Sequence, residues 1–445
     1  MKKYISLCLA LLSFTACQYK EDPVFEQKPT ERTLSVLGKY KQVLEGDNGY
    51  WLLTYYPEEY RDGFWVYPYY PTIFPSTNDY PKYHRALGGY NFVLKFSEGK
   101  VTASSEVKTT NDEDTSRYTY SLAEFPILSF NTYGEVLHHF SHVTSNFPNA
   151  KGGEVDFIIE KEQDGGFTLK GKRNENIMTL TKLTTDRETF LNKIRENRDV
   201  LKNKGLSPIQ VGGVEVKLDL FPSVRQLAFI YDEGRKYEQR AFILTEKGIK
   251  LYEPVTINGH TLSEFYLNDA KTALTTPDGS ISSDFVTSPL LPPTTAGSSF
   301  QIWFLNGYVS PSLVRSFSTT RRRTARLLPG FTLSEQLLFL TMDGNEGDRS
   351  TGFYMENVYD TDDTYKLTAY YMMDFVGVAG APNQVKILIN NPKDEGNHLF
   401  YCREHLGKFM EDIAKQSPYI VEEYSDDYYK LTAARDANVW MLVKK

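Results

Sequence analysis

The stretch Leu137–His142, LHHFSH, sets His138 and His142 four residues apart. On a helix that spacing puts two imidazoles on one face, where they could share a metal ion. A zinc peptidase would need His-Glu-x-x-His, with the glutamate polarising the attacking water, and here His139 stands in the glutamate's place. On a strand or turn the pair would separate, and no metal site is expected. Cys402 falls on the stripe Leu399, Cys402, Leu406, Phe409, Ile413, a helical face spaced for burial, which makes it core rather than nucleophile. YDTDDTY (359–365) and DGNEGD (343–348) have the composition of calcium loops. They lack the alternating ligands and terminal glutamate of an EF-hand and read as exposed turns. TTRRRTAR gathers Arg321, Arg322, Arg323 and Arg326, which reads either as a contact for an acidic glycan or anionic headgroups, or as a solvated loop. No nucleophile elbow, phosphate loop or dinucleotide fingerprint occurs. A pair of glycosidase carboxylates is defined by distance in space and leaves no sequence spacing to find. No catalytic residue, cofactor or metal is assigned from these patterns.

A different chemistry lies in RDGFWVYPYYPTIFPSTNDYPKYH (61–84), which holds one Trp, two Phe, five Tyr and four Pro. No helical or strand period orders these rings, and the prolines forbid a continuous ladder. Stiff, flat side chains lose little conformational entropy when they stack on a sugar or grip a peptide. Phe64, Trp65, Tyr67, Tyr69 and Tyr70 are therefore the ligand-binding candidates. The competing reading makes Trp65, Tyr67 and Tyr69 a plug for one end of a barrel.

The N-terminus, MKKYISLCLALLSFTAC, has a basic start and an apolar stretch of secretory length, too short for a spanning helix of about 20 residues. FTAC resembles a bacterial lipobox, with Phe14 where Leu is more usual. That resemblance makes residues 1–16 the signal peptide and Cys17 the lipidated first residue of the mature chain. Lys20, Glu21 and Asp22 resemble the Lys-acidic-acidic tag that exports Bacteroidetes lipoproteins to the outer leaflet. With Cys8 in the signal and Cys17 lipidated, Cys402 alone remains, so no intrachain disulfide is possible. A formal net charge of −7 argues against nucleic acid as a partner, since such a binder needs a basic face to neutralise phosphates.

The elements around these sites are mostly strands. After a tether (17–30), TERTLSVLGKYKQVLEG is helical. Eight runs follow, YWLLTYY, GYNFVLKF, KVTASSEV, SRYTYSL, FPILSFN, EVDFIIEK, GFTLKGKR and NIMTLTKL, several alternating and joined by turns such as Glu98–Gly99 and Asp164–Gly165. Eight strands after a helix predict an up-and-down barrel or strongly curved sandwich over 31–185. A connector helix (186–205), with a Thr185/Glu188 capping box and a stop at Gly205, leads to a middle β module at 206–290. TTPDGSISSDFVTSPLLPPTTAGSS reads as a linker or long loop. A C-terminal β module (297–445) carries a helix near 397–415. FTLKGKRNENIMTLTK (167–182) aligns without gaps to YKLTAARDANVWMLVK (429–444), so the chain reads as mainly β, in two or three related antiparallel barrel or sandwich modules.

Gly49–Tyr50–Trp51, on the first strand after a helix, resembles the lipocalin pattern, in which the Trp closes one barrel end. DPVFEQKPTERTL, NGYWLLTYYP, GGYNFVLKFSEGKVTASSE and LSFNTYGEVLHHFS resemble an uncharacterised family of Bacteroidetes lipoproteins, catalogued as a domain of unknown function. The resemblance is firm to about residue 185 and looser beyond. It implies an outer-membrane, surface-exposed lipoprotein encoded beside nutrient-uptake components, and it transfers no catalytic residue. The expectation is a non-catalytic accessory binding glycan or peptide beside uptake-system proteins. The alternatives are a structural partner of a surface complex and a hydrolase with an unrecognised site.

Overall fold

The computed structural model describes residues 29–46, 49–57, 59–60, 84–85, 88–107, 112–122, 124–142, 152–163, 165–290, 299–327, 331–333, 336–341, 351–359, 362–389 and 408–445. Four helices lie among them: α1 (Pro29–Glu45), α2 (Arg187–Leu201), α3 (Pro311–Leu327) and α4 (Lys408–Lys415). The protein is mainly β, and its strands fall into three large sheets and a two-residue ribbon.

The first sheet is a closed barrel of β1 (Trp51–Tyr55), β4 (Tyr90–Ser97), β5 (Lys100–Ser105), β6 (Glu113–Leu122), β7 (Pro126–Phe130), β8 (Asp156–Gln163), β9 (Gly166–Gly171) and β10 (Ile177–Lys182). The short β2 (Glu59–Tyr60) and β3 (His84–Arg85) form the separate ribbon between β1 and β4. All eight runs legible in the sequence are barrel strands, each hydrogen-bonded to its sequence neighbour, and β1 closes the ring on β10. Alternation drives closure: Trp51, Leu53 and Tyr55 of β1 are buried while Leu52 and Thr54 are half-buried. Glu98 (φ 50°) and Gly99 (φ 74°) turn β4 into β5 with the two left-handed residues that a tight hairpin requires.

The barrel interior is packed solid. At one end Trp51 donates its indole N–H to the Leu44 carbonyl at 3.1 Å, and Tyr40 of α1 meets Phe167 edge-on at 5.8 Å. At the other end, turns over 135–141 carry Val136, Leu137 and Phe140 inward. Phe140 stacks on Tyr55 at 5.7 Å and lies 4.5 Å from Tyr90.

The second sheet is a nine-stranded half-barrel of β11 (Lys204–Leu206), β12 (Ile209–Val211), β13 (Val214–Phe221), β14 (Gln226–Tyr231), β15 (Lys236–Leu244), β16 (Gly248–Ile257), β17 (His260–Leu267), β18 (Ala273–Thr275) and β19 (Ser282–Thr287). Its two ends, β11 and β12, are consecutive in the chain, parted by Ser207 and by Pro208, which has no N–H to offer a ladder. β11 pairs with β19 and β12 with β13, so the interrupted strand bridges the ends of the meander. Phe190, Leu191, Ile194 and Leu201 of α2 fill this module's core.

The third sheet contains β20 (Ser299–Trp303), β21 (Phe331–Leu333), β22 (Gln336–Thr341), β23 (Thr351–Tyr359), β24 (Asp362–Val378), β25 (Ala381–Ile389), β26 (Tyr419–Ser425), β27 (Tyr428–Ala433) and β28 (Trp440–Lys444). Its long β24 pairs with β23 in its first part and β25 in its second, so the last strand of the sheet also meets the strand next to its other end.

The sequence echo falls on β9–β10 and β27–β28, the last hairpin of the first sheet and of the third. Leu169 faces Met178, whereas the equivalent Leu431 faces Met441, one residue beyond the echo's register. A one-residue slip exchanges the two faces of a strand. Met441 and Val443 are accordingly the fully buried pair, where the echo alone would choose Trp440 and Leu442.

Four local expectations need correction. The cap of α2 is Asp186, whose carboxylate accepts the Thr189 amide at 3.0 Å, and not Thr185; the Asp186–Thr189 spacing satisfies the same orphan donor one residue later. The connector helix ends at Leu201, and Gly205 lies in β11, where a Cβ would collide with the Gly377 carbonyl of β24. The linker read over 275–299 contains β19, a Ser/Thr-rich strand without apolar alternation but closing the second sheet. The arginine cluster is helical, on α3. Of the helix expected near 397–415, Lys408–Lys415 is observed and 397–407 lies outside the described residues.

The modules pack on one another through backbone and side-chain bonds. Gly88 and Gly89 donate to the Val224 and Phe242 carbonyls at 2.7 and 2.9 Å, joining the first barrel to the second sheet. Lys386 of the third sheet binds Asp219 of the second at 2.6 Å, and Ser223 donates to Asp374 at 2.6 Å.

Candidate functional site

Cys17, Lys20, Glu21, Asp22, Phe64, Trp65, Tyr67, Tyr69, Tyr70 and Cys402 all lie outside the described residues. What is described is the ground around the aromatic segment. Tyr60 pairs with His84 and Glu59 with Arg85, so 61–83 is the connection of a ribbon that starts just past the end of β1, and β3 lies against β15. That end of the barrel is filled by Tyr55, Tyr90 and Phe140.

His138 and His142 pack into the fold. Backbone bonds from His138 N–H to Gly134 and from His142 N–H to His138 coil the segment. His138 is buried, its Nδ1 3.1 Å from the Gly134 amide and carbonyl and its Nε2 3.3 Å from the Phe130 carbonyl. The His142 ring packs on Tyr133 at 4.5 Å. Nearby Asp114 accepts the Val136 amide at 2.6 Å, and burial pushes its carboxyl up. Among the described residues no three His, Cys, Asp or Glu side chains converge as metal ligands would.

The most deeply buried charges also serve the fold. Arg225 of the second sheet makes a two-pronged contact with Glu106 of the first barrel at 2.9 and 3.0 Å, both side chains essentially inaccessible. Its guanidinium also donates to the Gly89 carbonyl at 2.6 Å and lies 4.1 Å over the Tyr90 ring, while Glu106 accepts the Asn91 amide at 2.6 Å. Glu154 accepts backbone N–H groups of Arg173 and Asn174 at the β9–β10 turn, and burial holds its carboxyl up. These pairings connect elements of the fold.

Among the described residues, a cavity that could hold a ligand lies between α3 and α4. Ser310 followed by Pro311 is a helix start, proline needing no N–H at the first position. Leu313 and Phe317 turn one face of α3 into the core, where Phe317 meets Phe304 at 4.5 Å and Phe409 of α4 at 5.2 Å. Arg315, Thr319 and Arg323, four residues apart, form another stripe of the helix. That stripe, Ser316, Thr320, Phe409 and Asp412 line a cavity of about 270 Å³. Arg322 bends back to the Ser318 carbonyl at 3.3 Å, but Arg315, Arg323 and Arg326 have no ion-pair partner among the described residues. Asp412, on the facing wall, pairs with Lys415 at 3.6 Å. The sequence signal for this site was the arginine cluster itself; the helix that carries it, Arg315 and Asp412 were not found by sequence reasoning.

A family model described as a domain of unknown function, DUF4302, matches residues 21–269. The chain belongs to that family. The DUF4302 match covers the first barrel and the second sheet through β17, so the cavity between α3 and α4 lies outside it. No curated protein matches the chain. Among solved structures, the DNA polymerase III β chain of Streptococcus pneumoniae TIGR4 is similar at 10% identity over 93% of this chain and 97% of that chain, with a TM-score of 0.12. The DNA polymerase III β subunit of Pseudomonas aeruginosa is similar at 10% identity over 92% and 97%, with a TM-score of 0.11. Likeness at these scores carries no argument about fold or function.

Proposed function

We propose that this DUF4302 chain is a lipid-anchored, non-catalytic surface protein of the outer membrane that binds glycan or peptide beside an uptake system, in the manner of the Bacteroidetes lipoproteins its N-terminus resembles. One observation carries the binding role: the barrel end beside the aromatic segment is already filled by Tyr55, Tyr90 and Phe140. The fold therefore has no need of Trp65 or Tyr69 as a plug, and aromatics of that density are left for a partner. The packed barrel interior and the mutual neutralisation of Glu106 and Arg225 favour binding over catalysis.

Three experiments test it. Cys17→Ala should release the protein from the membrane fraction or leave it unprocessed, and unchanged retention with unchanged lipid labelling sinks the anchor. Changing Lys20, Glu21 and Asp22 together to Ala should hide a still-lipidated protein from external protease. Trp65→Ala and Tyr69→Ala should each cost less than ~1 kcal/mol of folding stability, while weakening retention on an immobilised glycan or peptide by ~2 kcal/mol or more. A folding loss of several kcal/mol would make the segment a plug after all.

A further inference from the structure

We propose that the cavity between α3 and α4 is a second ligand site, and that it takes a sugar acid: a polyhydroxylated ring carrying a carboxylate. This goes beyond the aromatic segment and does not depend on it. The first ground is charge. α3 carries five arginines and no acidic residue in a chain of net charge −7, and Arg315, Arg323 and Arg326 have no ion-pair partner among the described residues. Guanidinium offers fixed, paired donors that match a carboxylate, and two such groups stand two helical turns apart with Thr319 between them.

The second ground is what shares the cavity with them. A site for a bare polyanion would be cationic on every side. Here Asp412 occupies the facing wall, and the Ser316, Thr319 and Thr320 hydroxyls supply both donors and acceptors. Asp412 is paired with Lys415 at 3.6 Å, yet its carboxylate keeps acceptor oxygens for ligand hydroxyls. One ligand chemistry satisfies both walls, an acid group toward Arg315 and Arg323 and hydroxyls toward Asp412. The volume of about 270 Å³ lies near the lower end of small-molecule sites and suits one ring of a short oligosaccharide rather than a folded peptide.

The test uses purified full-length protein and titration calorimetry with three probes: a uronic acid trisaccharide, the same trisaccharide as its methyl ester, and vesicles containing phosphatidylglycerol. The acid should bind at least about tenfold more tightly than the ester, the scale of one charge-assisted hydrogen bond. Binding should weaken between low and high salt, as exposed charge attraction is screened. The double variant Arg315→Gln/Arg323→Gln should lose the preference for acid over ester while keeping the wild-type thermal midpoint. Equal affinity for acid and ester in the wild type overturns the proposal without reference to any variant. So does vesicle binding with no binding of the trisaccharide, which would give this face to anionic headgroups. Retention of the acid preference in the double variant places the site elsewhere and also overturns it.

Discussion

Arg225→Met is the sharpest test of how the modules are held together. The substitution keeps an unbranched side chain of similar reach and removes the guanidinium. Glu106, 1% exposed, would then keep only the Asn91 amide and side-chain donors, at 2.6 and 2.9 Å. Two charge-assisted bonds at ~1.5–3 kcal/mol each give ~3–6 kcal/mol, in line with the ~3–5 kcal/mol for breaking a buried pair from one side. Loss of the donor to the Gly89 carbonyl adds to this at the seam between modules. Glu106→Gln should cost a comparable amount, because it strands the cation. The double variant should cost clearly less than the two singles summed, since neither charge is left alone, with a coupling energy on the order of 2 kcal/mol. The assay is urea unfolding followed by tryptophan fluorescence and far-ultraviolet circular dichroism together, because a three-module chain need not unfold in one step. Single variants within ~1 kcal/mol of wild type, or a double variant equal to the sum of the singles, would refute the reasoning.

Gly205→Ala should lower the thermal midpoint and expose the junction of the second and third sheets to protease, because its Cβ meets the Gly377 carbonyl; Gly38→Ala, in open space on α1, should be neutral or stabilising by up to ~1 kcal/mol. Glu154→Gln should flatten one part of the pH dependence. Burial raises this carboxyl in the folded state, so its stabilising contribution is complete below the ordinary value of ~4.3 and is lost as pH rises through the folded value. The advantage of wild type over Glu154→Gln should thus shrink from pH 4 to pH 7, and an advantage that grows would contradict the assignment. Trp51→Ala should cost ~3–5 kcal/mol by cavity formation, and Trp51→Phe less, through the lost bond to the Leu44 carbonyl, with urea midpoints as the measure.

The strands of the first barrel were legible because burial on one face writes itself into the sequence as alternation, and because Glu98–Gly99 supplies a turn that few other pairs allow. β19 was not, since Ser282, Ser283 and Thr287 contribute ladder bonds rather than apolar area. α3 was read as a loop for a related reason: three consecutive arginines mask the Leu313–Phe317 spacing that docks the helix. The Glu106–Arg225 pair could not be found at all. Its partners stand far apart in the chain, and each is a residue type that normally sits on the surface. The register slip of β27–β28 shows the limit of the internal echo. Shared residues marked a shared hairpin, yet the turn decided which side chains face inward.

The arginines of α3 can be weighed against what a helix alone would favour. A cation in the last turn of a helix gains ~0.3–1 kcal/mol from the macrodipole, which accounts for Arg326. Repulsion between Arg322 and Arg326, four apart, costs ~0.2–0.5 kcal/mol. The two effects nearly cancel, so the fold neither requires nor forbids that end of the cluster. Arg315 is different. It lies in the N-terminal half, where the dipole gains nothing from a positive charge, and it has no ion-pair partner among the described residues. Its charge is one that folding does not explain, and it is one of the two arginines that line the cavity. Arg315→Gln alone should therefore leave the thermal midpoint unchanged or slightly raised while weakening the uronic acid trisaccharide. A lowered midpoint would mean that Arg315 serves the helix, and the charge argument for the cavity would then rest on Arg323 alone.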